Sequence, residues 1–178
     1  FGDWARTAYL PALERDGRAQ VISVAAPSRR TRELASDKLG PGVEVFSNSE
    51  WLFTGPKLDA VLVAVSETAH ESSLLEALDS GLPVLYEPPL ADDPGQIPAM
   101  IERLSTANQI TFGDLELGFL PVVSRAAENV QSGAIGLTQT VSIRLHSAWG
   151  PVTGSKLSNI AHLAPWYVDV MNRILGAE

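Results

Sequence analysis

The sequence predicts an α/β protein in two parts. A parallel sheet wound on both faces by helices comes first. The beginning of an α/β domain with a mainly antiparallel open sheet, incomplete in this chain, follows. Three observations predict this. Short, nearly continuous apolar runs recur at 19–26, 59–65, 83–86 and 109–112, as in strands buried on both faces and therefore parallel. Helical patterns fall between them. After about Gly113 the rhythm changes to a long alternating stretch.

The elements follow in order. Residues 7–15 place Tyr9, Leu10 and Leu13 on one side of a helix. The run at 19–26 is the first strand, and 28–39 is a polar helix with Leu34 and Ala35 inward. The run at 59–65 is a strand rich in valine, and 68–80 is a helix with Leu74, Leu75 and Leu78 on one face. A strand at 83–86, a helix at 96–104 and a strand at 109–112 complete the first part. Glycine and proline punctuate the joints at Gly40-Pro41-Gly42, Gly55-Pro56, Gly81 and Pro88-Pro89. Strands alternating with helices at this spacing are βαβ units. Further on, 119–131 is a helix ending at Gly133. Residues 136–149 alternate, with Val141, Ile143 and Leu145 on one face and Ser142, Arg144 and His146 on the other, predicting a strand. A last helix covers 157–175. The expected boundary divides 1–113 from 114–178.

Composition narrows the function classes. The chain has 178 residues, of which 45% are apolar and 19% charged, the balance of a globular protein. A chain of this size buries roughly two thirds of its unfolded surface. The formal charge of −8 argues against a nucleic-acid backbone binder, which needs a basic face. No apolar run approaches the roughly 20 residues of a membrane span, and no signal peptide is visible; a cytoplasmic location is expected. With no cysteine, disulfides, thiolate catalysis and Cys-type zinc sites are excluded. The histidines at 70, 146 and 162 lack metal-ligand spacing, so no metal is expected. There is no Gly-x-Ser-x-Gly elbow and no phosphate loop of the Gly-Lys-Ser/Thr type.

The opening Phe1-Gly2-Asp3-Trp4-Ala5 leads straight into a helix. A dinucleotide-binding turn needs glycine where backbone meets pyrophosphate, then a small residue where helix packs on sheet. Gly2 and Ala5 fill those places. The turn's first glycine and its strand would precede Phe1, and with no initiator Met the chain is expected to be the inside of a longer protein. The other reading is an ordinary helix start capped by Asp3. The strand at 19–26 leads into Pro27-Ser28-Arg29-Arg30 with no carboxylate. An acid there holds the ribose hydroxyls in NAD binders, whereas a base there suits a 2′-phosphate. The pattern favours NADP over NAD; alternatively Arg29 and Arg30 are solvated residues of a first helical turn.

Taken together, these segments resemble the Gfo/Idh/MocA group of sugar and cyclitol oxidoreductases. The resemblance rests on Gly2-Asp3-Trp4-Ala5 leading to Tyr9-Leu10-Pro11-Ala12-Leu13, and on 58–65 with His70 five residues later. It continues through Glu76-Ala77-Leu78, the run 81–91, Ser132-Gly133-Ala134-Ile135-Gly136, and Asp169 with Gly176. It implies a Rossmann domain, here without its first strand, then a domain that lines the substrate site and forms homo-oligomers. It also implies hydride transfer between a nicotinamide and a sugar-like small molecule. The cofactor residues it implies are Gly2, Asp3, Trp4, Ala5, Ser28, Arg29, Arg30, Val65, Ser66, His70, Glu87 and Pro88.

The proton-transfer set departs from the family's pattern. The family's Glu-Lys-Pro motif reads Glu87-Pro88-Pro89, so a proline stands where the lysine would. The family's second set has an aspartate four residues before a histidine and another aspartate three further on. Here those places hold His162, Trp166 and Asp169. His162 and Asp169 are therefore the candidate catalytic residues, with His162 taking the proton. Otherwise His162 is a satisfied helical histidine, and the protein is a binding or assembly protein that kept the fold. Trp166 is core or a stacking platform. His70 lies below the nicotinamide or is a first-turn polar residue. Glu87 contacts ribose or ends its strand. Glu67 and Glu71 share a helix face and are expected to be solvated, and Asp92-Asp93 to cap a helix.

Overall fold

The computed structural model describes residues 1–148, 150 and 153–176. Five short strands form two parallel sheets. In the first, β1 (Ser23–Ala25) pairs with β2 (Glu44–Phe46), Val24 opposite Val45. In the second, β3 (Val61–Val63) pairs with β4 (Val84–Tyr86), and β4 with β5 (Thr111–Gly113). The doubly wound order is 3-2-1-4-5-6. The observed pairings correspond to its 3-2 and 4-5-6 portions; the strand numbered 1 there is not among the five.

A π-helical turn (Ala5–Tyr9) runs into α1 (Leu10–Asp16), which stops where Gly17 turns left-handed at φ 70°. Helix α2 (Arg29–Leu39) starts at Ser28, whose hydroxyl accepts from the Thr31 amide at 3.3 Å, satisfying one of the unpaired N–H groups of a helix start. Helix α4 (Glu67–Asp79) carries the central core. Its Leu74, Ala77 and Leu78 pack with Val63, Val84 and Ala91, and with Met100 of α5 (Ile97–Ser105). The valine of β3 and the leucines of α4 meet as the apolar runs predict.

Two elements lack a strong sequence signal: β2 and α3 (Ser49–Thr54), which Asn48 caps by accepting from the Trp51 amide at 3.3 Å. Each is bracketed by a Gly-Pro joint and too short to show a period.

The later part differs from expectation. A 3₁₀ turn (Glu116–Phe119) leads into α6 (Pro121–Gln131), and α7 (Asn159–Leu175) closes the described chain. Gln131 donates to the Arg173 carbonyl at 2.7 Å and so ties α6 to α7. The predicted strand at 136–149 does not form: 137–147 have no regular structure, and Trp149 lies outside the described residues. Alternation decides which side chains share a face, but a strand exists only against a hydrogen-bonding neighbour. Among the described residues none lies beside it, nor does any antiparallel pair occur. Also among the described residues, no helix is long and apolar enough to cross a membrane.

Candidate active site

The carboxyl ends of β3, β4 and β5 lie on one edge of their sheet, where open α/β sheets bind ligands. From β3 the chain passes through Val65 and Ser66 into α4, whose first residue is Glu67. From β4 it passes into Glu87-Pro88-Pro89, and from β5 into Asp114 and the turn holding Glu116. Two helices bring further groups. Tyr9, on the inward side of the first helix, donates its hydroxyl to Asp114 and has Glu87 within reach. Helix α7 contributes His162, Trp166 and Asp169.

The result is a partly buried acidic cluster. Burial pushes the Glu87 carboxyl up to about 7, and the charges of Asp114, Glu116 and Glu67 add to this against the Tyr9 hydrogen bond. The same burial, with Asp114 and Glu87 as neighbours, drives the Tyr9 phenol well above its ordinary value. Glu116 is also raised by burial; the Trp166 indole N–H, donating to it at 2.5 Å, works the other way. Carboxyls whose surroundings push their ionisation apart are candidates for acid–base work.

Glu67 is a correction to the sequence reading. Instead of a solvated face it is buried, with its Oε1 3.3 Å from Nδ1 of His162. The reason is tertiary: α7 covers the start of α4 there. His162 thus lies in the pocket, paired to an acid from another helix. Asp169 is held by Arg173 of its own helix at 2.7 Å. The Arg173 guanidinium lies 4.7 Å over the Phe119 ring. Gly118 permits this packing, since a Cβ there would overlap both Arg173 and Asp169.

The cofactor-side residues are placed as follows. Nothing stands within 4 Å of where a Cβ on Gly2 would lie, so the start of the first helix faces open space. Asp3 pairs with Arg6, Trp4 is about one-third exposed, and Ala5 begins the π-helical turn. Ser28 caps α2. Arg29 and Arg30 are exposed in its first turn, Arg29 pairing with Glu33 at 2.7 Å. Arg32 braces the same loop, donating to the Ala26 and Pro27 carbonyls at 2.9 and 2.6 Å. The Ser66 hydroxyl lies 3.3 Å from that of Thr68. His70 is buried, with Nε2 2.7 Å from the Val65 carbonyl and Nδ1 2.5 Å from the Pro89 carbonyl. Its ring clamps the turn after β3 to the turn after β4. Pro88 is buried and carries no proton.

Asp93 caps a 3₁₀ turn as expected, accepting from the Gly95 amide at 2.9 Å. Asp92 instead accepts from the Lys156 amide at 3.1 Å, and Lys156 pairs with Asp93 at 2.8 Å. That pairing raises the Lys156 ammonium, the opposite of what a lysine general base needs. Tyr9, Glu67, Asp114 and Glu116 belong to this cluster although the sequence gives none of them a site role. The position of Asp114 and Glu116 just after a parallel strand is the signal that could have found them. Among the described residues no group of three or more His, Asp or Glu is arranged to hold a metal ion.

The family model for Gfo/Idh/MocA proteins, described as an oxidoreductase family with an NAD-binding Rossmann fold, matches residues 2–113. The inositol 2-dehydrogenase of Corynebacterium glutamicum is 29% identical over 126 residues, covering 68% of this chain and 36% of its own. An oxidoreductase structure from Thermotoga maritima superposes with a TM-score of 0.80 at 22% identity, over 98% of this chain and 57% of its own. A super-repressor mutant of Gal80p from Saccharomyces cerevisiae gives 0.80 at 19%, over 98% and 50%. The chain spans about a third of the length of that dehydrogenase.

Proposed function

Since the chain belongs to the Gfo/Idh/MocA oxidoreductase family, we propose that it carries the dinucleotide half, and the start of the substrate half, of an NAD(P)-dependent oxidoreductase acting on a cyclitol or sugar. The proposed division is 1–113 and 114–178. The observation that carries the reading is the placement of His162. Helix α7 sets it against buried Glu67, at the strand ends where a dinucleotide fold binds its ligands.

The residues present fit a dinucleotide. Gly2 precedes the first helical turn, where backbone N–H groups favour a phosphate. Ser28, Arg29 and Arg30 follow β1 with exposed cations and no carboxylate at the strand end, which supports NADP over NAD. Val65 and Ser66 border the crevice, His70 holds its walls, and Glu87 meets its floor beside Pro88. A nicotinamide held there would supply the hydride acceptor or donor. In the oxidising direction His162 takes the substrate's hydroxyl proton while the carbinol carbon loses its hydride and the carbonyl forms. Asp169, fixed by Arg173, lies about two further turns along α7 for substrate hydroxyls.

A screen of cyclitols and sugars with NADP⁺, using the full-length protein and its His162→Ala variant, tests this. Turnover should fall by about 10²-fold or more in the variant. Unchanged turnover removes His162 from the proton step. One observation favours a second reading: buried Pro88 stands where the family's lysine is expected. If the wild type binds a dinucleotide but turns over no polyol, a binding or assembly protein is the better account.

A further inference from the structure

We propose that Glu67 is a positioning residue for His162, holding the ring through Nδ1 so that Nε2 is the nitrogen that exchanges the substrate proton. The proposal rests on His162 acting in the pocket as described above. An acidic residue at the first position of a helix is ordinarily solvated there, near the unpaired N–H groups. Glu67 is not: its side chain is only 11% exposed, and that of His162 13%. The two arrive from α4 and α7, and Oε1 stands 3.3 Å from Nδ1.

Neither side chain has its polar atoms used elsewhere in a way that explains the burial. His162 Nδ1 is buried and makes no well-aligned hydrogen bond, the Glu67 Oε1 at 3.3 Å being the acid that faces it, and Oε2 of Glu67 is buried without a partner. A buried carboxylate oxygen left unpaired calls for an explanation other than stability. A neutral imidazole carries its proton on one nitrogen and accepts on the other. A carboxylate facing Nδ1 selects the Nδ1–H form and leaves Nε2 as the acceptor. This is the role an acid plays behind a histidine base in hydrolases, reached here with residues from different elements. The unpaired Oε2 is a second acceptor beside the ring, itself buried from solvent.

Ring-nitrogen NMR of the ¹⁵N-histidine-labelled full-length protein at pH 8 tests the proposal without any cofactor. The wild type should show His162 in the Nδ1–H form. Glu67→Leu, which keeps an apolar side chain of similar size at the buried site, should shift it toward Nε2–H. In the kinetic screen the same variant should lose at least about tenfold in kcat with KM within about twofold. An Nε2–H ring in the wild type, or a Glu67→Leu spectrum identical to wild type, overturns the proposal. The wild-type spectrum decides even if the variant fails to fold. Failure of the oxidoreductase reading would show separately, as a wild type that turns over no polyol whatever form its His162 ring takes.

Discussion

Replacing Glu87 by glutamine should stabilise the protein at pH 8 and leave its stability unchanged near pH 4.5. Glu87 follows β4 in a half-buried position among Asp114, Glu116 and Glu67, and its carboxyl is raised from 4.5 to about 7. Below pH 4.5 folded and unfolded chains both carry the proton, and no difference arises. Between 4.5 and 7 the unfolded chain ionises while the folded one holds its proton, so stability falls as pH rises. At about 1.4 kcal/mol per pH unit, the ceiling is roughly 3 kcal/mol above pH 7. Solvent reaches part of the side chain and screens the neighbouring charges, which reduces the expected effect to about 1–2 kcal/mol. Glutamine is close to glutamate in size and has nothing to ionise. Urea unfolding of wild type and Glu87→Gln from pH 4.5 to 8 should give curves that converge at low pH. They should separate above pH 6, with the variant the more stable. Parallel pH profiles, or a variant less stable at pH 8, would refute the burial argument.

Two further substitutions probe the packing that builds the pocket. Gly118→Ala must displace Arg173 and Asp169. Because the atoms in the way belong to flexible side-chain ends, the cost should be roughly 1 kcal/mol, the low end of overpacking. A thermal midpoint equal to wild type would contradict the contact. Leu74→Ala removes the most deeply buried leucine of α4, at 2% exposure, and should cost about 2–5 kcal/mol in denaturant unfolding. A loss below 1 kcal/mol would mean that Leu74 is not at the centre of the core.

The parallel sheets and their main helices were legible because their signals are local. Val61 and Val63 sit in an apolar run, and Leu74 and Leu78 recur at helical spacing. What was not legible depends on partners far away in sequence. Glu67 and Glu71, judged by their own helix, look like a solvated face; only α7 lying over Glu67 makes it buried. Tyr9 shows its inward direction by period, but not that its hydroxyl reaches Asp114. The alternation from 136 onward shows sidedness and cannot supply the neighbouring strand that a ladder requires. At the site, Pro88 was readable as a missing proton carrier, whereas the Glu67–His162 contact joins two helices whose packing no spacing rule predicts.

The proposed dinucleotide crevice at these strand ends, suited to NADP, is open to titration of the full-length protein with NADPH and with NADH, followed by cofactor fluorescence. Both should bind saturably, with NADPH the tighter and its advantage lost in Arg29→Ala/Arg30→Ala. Tighter binding of NADH would remove the role given to the two arginines, and no binding of either would remove the dinucleotide crevice itself.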